Sequence, residues 1–261
     1  MHVLAGKRAL ACGSTQGIGY GCALELARLG AEVVLAARNE EALKKVRSEL
    51  STAAGQEHAV LCVDFSQPEA VRDKVAAFIQ ANGPIHIVVN NTGGPPAGPI
   101  FEAKPEEFKT AINNHVVCNH LVAQTLVPGM KEARYGRIIN IISSSVKCPI
   151  PGLGVSNTTR GAVASWAKTL ASELARFGIT VNNILPGYIT TARLKSLNER
   201  RARDAGVSVE ELERRLLGEI PAGRFGTPEE VGAVVGFLAS PAAGYVTGIN
   251  LPVDGGRLPT L

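Results

Sequence analysis

Short, almost uninterrupted apolar runs alternate with segments of helical period along most of this chain, and that alternation limits its fold more than any other feature. Strand-like runs fall at 8–12, 32–36, 59–63, 85–90, 137–142, 179–185 and 249–253. Helical spacing fills 20–29, 40–52, 68–80, 105–129 and 155–177, and Pro228-Glu229-Glu230 opens a further helix with Thr227 as its N-cap. Runs such as Ile85-His86-Ile87-Val88-Val89 and Arg137-Ile138-Ile139-Asn140-Ile141-Ile142 read as strands buried on both faces. The expectation is an α/β fold: a doubly wound parallel sheet, right-handed crossovers, helices on both faces, and one domain over 1–261.

The rhythm breaks at 192–218, the most charged stretch of the molecule. A solvated helical hairpin and a mobile helical lid over a cleft are both open. Its place just after a strand end favours the lid, because open α/β sheets bind ligands at strand C-termini.

Composition excludes several classes. The 27 basic and 23 acidic residues give a net charge of +4, spread without a Lys/Arg block, so nucleic acid is not an expected partner. No run of 18 apolar residues occurs, so no membrane span is expected. The first eight residues hold no signal-peptide pattern, and the five cysteines are odd in number with no C-x-x-C pair. They are expected to be reduced, mostly buried thiols in a cytoplasmic protein. The five histidines form no H-x-x-x-H pair, and no metal is expected.

The first strand leads into Gly13-Ser14-Thr15-Gln16-Gly17-Ile18-Gly19 and then a helix, the context in which a glycine loop binds a dinucleotide pyrophosphate. Ser14 and Thr15 would add hydroxyl donors. At the end of strand two, where an acid would accept the adenosine ribose hydroxyls, stand Ala37 and Arg38. A guanidinium without an anion suits a 2′-phosphate, so NADP(H) is expected in preference to NAD(H), which stays possible. Asp64 at the end of strand three and Asn90-Asn91-Thr92-Gly93 at the end of strand four would complete the cofactor edge.

These motifs, with Gly136-Arg137-Ile138-Ile139-Asn140-Ile141, Pro186-Gly187-x-Ile189-x-Thr191 and Val253-Asp254-Gly255-Gly256, give the chain a close resemblance to the short-chain dehydrogenase/reductase family. Among its members the ketoacyl-carrier-protein reductases are most similar. The resemblance implies a Rossmann-type sheet of seven parallel strands, a nicotinamide cofactor, a small carbonyl or alcohol substrate and a homotetramer. By position Asn90 would support the cofactor strand, and Pro186, Gly187, Ile189 and Thr191 would hold the nicotinamide end.

The family's catalytic set is a Ser, a Tyr thirteen residues on, a Lys four beyond it, and an Asn on the preceding long helix. Ser143 matches the first; the other positions hold Ser156, Arg160 and His115, with Asn113 and Asn114 beside the last. No Tyr-x-x-x-Lys occurs anywhere in the chain. An aliphatic hydroxyl is a far weaker acid than a phenol, and a guanidinium keeps its proton. Loss of a general acid costs ~10²–10⁴-fold in rate, whereas orientation and hydrogen bonds from Ser143 and Ser156 to an oxyanion still leave turnover. His115 is open as a proton relay or a structural group, Tyr188 as a proton donor or a pocket wall, and Lys147 as a substrate contact or a solvated cation. Arg160 would fix the nicotinamide ribose. An NADP-dependent oxidoreductase with a non-standard proton relay is the expected function; a nucleotide-binding sensor or scaffold with little turnover is the alternative.

Overall fold

The computed structural model describes residues 2–260. Seven parallel strands form one sheet in the order β3-β2-β1-β4-β5-β6-β7. They are β1 (Arg8–Cys12), β2 (Glu32–Ala37), β3 (Ala59–Cys62), β4 (Ile87–Asn90), β5 (Gly136–Ile141), β6 (Ile179–Pro186) and β7 (Asn250–Val253). The order reverses between β1 and β4, so a crevice opens at the strand C-termini there, the usual ligand position of such sheets.

The near-continuous apolar runs serve two cores, one per sheet face. Ala9, Ala11, Val33, Leu35, Val89 and Ile139 face one side and pack with α1 (Gly17–Arg28) and α9 (Pro228–Ala239). Leu10, Cys12, Val34, Val88, Ile138 and Val181 face the other, under α3 (Pro68–Asn82), α5 (Cys118–Glu132) and α6 (Gly154–Leu174). The remaining helices are α2 (Glu40–Glu49), α4 (Pro105–Ile112), α7 (Ala192–Ala205) and α8 (Val209–Gly218). Thr227 caps α9 in a capping box with Glu230.

One polar feature crosses the apolar sheet. Asn90, Asn140, Asn183 and Asn250 stand in register on four neighbouring strands. Their amides donate in sequence, Asn90 to Asn140 at 2.8 Å, Asn140 to Asn183 at 2.9 Å and Asn183 to Asn250 at 2.8 Å. Asn90 therefore belongs to a polar ladder at the end of β4, through its Nδ2.

The helix expected over 105–129 is broken by a π-helical turn, Asn113–Val117, between α4 and α5. The wider turn adds a residue to the local repeat and rotates His115 into the interior, where it is buried. The charged stretch after β6 is a helical hairpin, α7 and α8, closed by a left-handed Gly206 and joined by Asn198 Nδ2 donating to Glu213 at 3.1 Å. Among the described residues no helix is long and apolar enough to cross a membrane and no group of side chains could hold a metal. Cys12, Cys22 and Cys118 are buried free thiols, Cys62 is half-buried and Cys148 exposed.

Candidate functional site

The glycine loop is built by close backbone approach. Gly13 has φ +61°, and a Cβ there would sit 2.5 Å from the Asn91 carbonyl oxygen. A Cβ on Gly19 would lie 2.2 Å from the Gly13 oxygen, so α1 can begin this near the turn only with glycine. Asn91 Nδ2 donates to Cys12 O at 3.2 Å, which ties the loop to the end of β4. Asn91 thus braces the loop beside Asn90, which anchors the end of β4 to β5. Ser14 departs from expectation: its side chain is fully buried and its hydroxyl accepts from Ala36 N at 3.1 Å. It braces the loop on β2 and offers no hydroxyl to a phosphate. Thr15 is half-buried, and Gln16 is exposed at the start of α1.

Ala37 is buried at the end of β2 and Arg38 follows it, exposed. Asp64 lies near enough for the Arg38 cation to help lower its pKa, although the hydrogen bond from Ser66 N is the larger cause. Across the cleft, Pro186 is buried at the end of β6, and a Cβ on Gly187 would meet Asp254 at 2.7 Å. Ile189 is buried, and Thr191 caps α7 by accepting from Leu194 N at 3.2 Å. The Thr191 methyl lies 3.2 Å from where a Gly17 Cβ would stand, so α7 starts directly above the glycine loop.

Four segments meet around the residues 92–95 that follow β4. The Thr92 hydroxyl bonds His115 Nδ1 at 2.7 Å, and the imidazole also bonds the Gly93 backbone. Burial and then the Arg160 cation lower the His115 pKa to about 3. A neutral imidazole has one donor and one acceptor nitrogen, and Nδ1 is committed to Thr92. His115 bonds the loop after β4, and its lowered pKa and its contacts there favour the structural of the two readings.

Arg160 lies on α6 one turn beyond the half-buried Ser156 and is itself buried. Its Nη1 donates to Ile141 O at 3.1 Å, two residues before Ser143. Desolvation and then Arg193 bring its pKa down to about 10, which leaves it a cation at neutral pH. Ser143 is half-buried, and its hydroxyl accepts from Ser145 N at 3.1 Å as it starts a short 3₁₀ turn. The loop before α6 joins the wall: Gly98 N donates to Gly152 O at 2.7 Å.

Tyr188 follows Gly187 beyond β6. It lies edge-on to Phe225 with centroids 6.0 Å apart, and Arg257 covers its ring at 4.6 Å. These contacts favour the pocket-wall reading of Tyr188. Lys147 is half-buried just after Ser143. A cavity of ≈ 500 Å³ lies against α7 and α8, lined by Thr191, Leu194, Glu199, Glu210, Glu213 and Phe225 among others. It adjoins the start of α7 and does not contain Ser143, Ser156 or Arg160.

Sequence reasoning missed an electrostatic pattern. α2, α3, α4, α8 and α9 each carry Glu in the first turn, the usual complement to a helix N-terminus. α1, α6 and α7 carry none, and neither does α5, which continues the π turn. The first three are the helices of the glycine loop, of Ser156 and Arg160, and of Thr191. Counting Asp and Glu after each expected N-cap would have revealed it.

Comparison with known proteins agrees with this geometry. Residues 13–257 match the family described as enoyl-(acyl carrier protein) reductase. The 3-oxoacyl-[acyl-carrier-protein] reductase of Pseudomonas aeruginosa is 38% identical over 255 residues, covering 97% of this chain and 98% of that protein. The gluconate 5-dehydrogenase of Gluconobacter oxydans is 37% identical over 254 residues, covering 97% of this chain and 95% of that protein. Among solved structures, the L-sorbose reductase of Gluconobacter frateurii, complexed with NADPH and L-sorbose, superposes with a TM-score of 0.92 at 33% identity over all of both chains. A sheet that reverses between β1 and β4, a turn there that excludes any Cβ, and matches of this length lead to one conclusion: the chain belongs to the short-chain dehydrogenase/reductase family.

Proposed function

We propose that the chain is an oxidoreductase moving hydride between NADP(H) and a carbonyl or alcohol substrate, with ketoacyl-type compounds in the accepted class. In this reading Ser143, Ser156 and Arg160 stabilise the developing oxyanion in place of the family's Tyr acid and Lys. The observation that carries it is a nucleotide cradle kept intact beside a buried guanidinium tied to the end of β5. The relatives support it, since one is named a ketoacyl reductase and another was solved with NADPH and a sugar.

The cradle fits a dinucleotide. Glycines where a Cβ would strike backbone, α1 free of first-turn acids, and Arg38 without an acid at 37 suit a pyrophosphate and a 2′-phosphate. Gly13, Thr15, Gln16, Gly17, Ile18 and Gly19 would hold the pyrophosphate, Arg38 the 2′-phosphate, and Asp64, Asn91, Thr92 and Gly93 the adenosine side. Pro186, Gly187, Ile189 and Thr191 would hold the nicotinamide end, with Arg160 also reaching its ribose. A bound nicotinamide supplies or accepts the hydride.

The chain's own residues then orient and neutralise. Arg160 remains protonated and stabilises negative charge without releasing a proton, the serine hydroxyls donate hydrogen bonds to the same oxygen, and the alkoxide takes its proton from solvent water. His115 keeps the loop after β4 in place as a neutral group. Without a phenol the rate should fall by the ~10²–10⁴-fold that a general acid is worth. The absence of any Tyr-x-x-x-Lys favours a second reading, a nucleotide-binding sensor or scaffold of the same fold. In either reading the hairpin α7–α8 covers the cleft, and the outer faces of α5 and α6 pair copies of the chain into a homotetramer.

Stopped-flow absorbance of NADPH mixed with protein and a panel of small diketones, ketoacyl thioesters and sugars tests the proposal. The oxidoreductase reading expects NADPH to be consumed. It also expects Ser156→Ala to lower turnover at least tenfold with NADPH affinity kept, and Arg160→Ala to weaken both. NADPH binding with no consumption by any compound would transfer the conclusion to the second reading.

A further inference from the structure

Arg160 and Arg193 form a cationic pair that no carboxylate neutralises. Their Nη2 atoms lie 3.7 and 3.3 Å from the point where a Cβ of Gly94 would stand, so both guanidiniums converge on one spot beside the end of β4. Neither belongs to any ion pair among the described residues. Each makes one hydrogen bond to protein, Arg160 to Ile141 O at 3.1 Å and Arg193 to Pro95 O at 2.9 Å. A guanidinium carries five N–H donors, so most of this pair's capacity is open.

Another arginine of the same chain shows how a structural cation is treated. Arg137 is buried and also lacks an acid, yet it donates to Gly136 O, Gly178 O and, twice, Ser240 O, and its guanidinium stacks 4.1 Å from the Tyr135 ring centroid. Its charge is spent on carbonyls and an aromatic face. Arg160, equally removed from water, has one carbonyl and a second cation nearby. Arg160 is buried while Arg193 stands exposed at the cleft mouth, and two like charges this close are unfavourable unless an anion enters between them.

Resting on the oxidoreductase reading above, we infer that Arg193, with Arg160 behind it, receives an anionic group of the substrate, so the accepted carbonyl compounds carry a carboxylate or a phosphate close to the reacting carbon. Arg193 occupies the first turn of α7, on the hairpin, while Arg160 belongs to the site of Ser143 and Ser156. An anion between them ties the hairpin to the catalytic side of the cleft. α6 and α7 carry no first-turn acid that would oppose it. A fork of guanidinium donors suits a planar carboxylate or a phosphate, and offers nothing to an uncharged ketone of the same shape.

The experiment compares 2-oxo acids with their methyl esters, and phosphorylated hydroxyketones with the unphosphorylated compounds, at saturating NADPH. NADPH affinity is measured separately by calorimetry. The expected result is a kcat/KM at least tenfold higher for one charged series than for its uncharged partner, with the preference carried in KM. Arg193→Ala should reduce that ratio tenfold or more, and Arg193→Lys should keep part of it. Whichever charged series shows the effect identifies the anion. Equal kcat/KM for charged and uncharged partners, or a ratio unmoved by Arg193→Ala, overturns the inference while leaving the oxidoreductase reading in place. If NADPH binds and nothing is turned over, that reading fails instead. The inference is then decided by calorimetry of pyruvate and inorganic phosphate with the NADP-bound protein: heat lost in Arg193→Ala supports it, and no heat in either protein overturns it.

Discussion

At His115 the neighbours decide the chemistry more than the residue type does. An unburied imidazole titrates near 6.5; this one is driven to about 3 by desolvation and by Arg160. The unfolded chain therefore binds a proton on His115 between those values while the folded chain does not. Stability from this group is complete above about pH 6.5 and is lost as pH falls toward about 3. Urea unfolding near pH 7.5 and pH 5 should show a smaller acid loss in His115→Asn than in the unaltered protein; equal losses would count against the buried neutral state. Arg38 gives a second prediction at this scale. NADPH should bind more tightly than NADH by calorimetry, and Arg38→Asp should erase or reverse the preference, because the guanidinium is replaced by an anion that suits free ribose hydroxyls. Equal affinities in the unaltered protein would contradict it. Residue types in the glycine loop were readable from sequence, but the commitment of each side chain was not. Ser14 reads as a phosphate donor until its buried hydroxyl is found accepting from Ala36 N, and Tyr188 reads equally as acid or wall until its ring is found against Phe225 and Arg257.

At the scale of elements, strands and helices followed from periodicity with boundaries a few residues off. The asparagine ladder did not. Asn90, Asn140, Asn183 and Asn250 are each visible in a strand-like run, but only the register of β4, β5, β6 and β7 aligns them, and register between parallel strands is set by long crossovers. Asn140→Val removes the middle of the ladder and leaves Asn90 Nδ2 and Asn183 Oδ1 without their partners. Two buried orphans should cost about 2–5 kcal/mol, read as a lower urea midpoint with an unchanged slope. A loss under about 1 kcal/mol would mean that the ladder contributes no stability. The π turn at Asn113–Val117 was invisible for a related reason: the apolar spacing of 105–129 fits one regular helix, and the inserted residue is favoured by His115 reaching Thr92 and Gly93, a contact made only in three dimensions.

Across the whole molecule the sheet gathers at one edge what the sequence scatters over 180 residues. The glycine loop at 13–19, the loop at 92–95, Ser143, Ser156, Arg160 and the start of α7 all lie where strands end and helices begin. Three helices bordering this cleft, α1, α6 and α7, lack first-turn acids, so no carboxylate there opposes an anion at their N-termini. The central claim is that this edge transfers hydride by orientation and oxyanion stabilisation, with the phenol absent. Single-turnover NADPH oxidation tests it most directly, comparing the unaltered protein with the double variant Ser156→Tyr, Arg160→Lys on the same ketone. The account predicts measurable oxidation by the unaltered protein and a rise approaching the ~10²-fold lower bound for acid catalysis in the double variant. NADPH binding without any oxidation by the unaltered protein, beside ready turnover by the double variant, would contradict it.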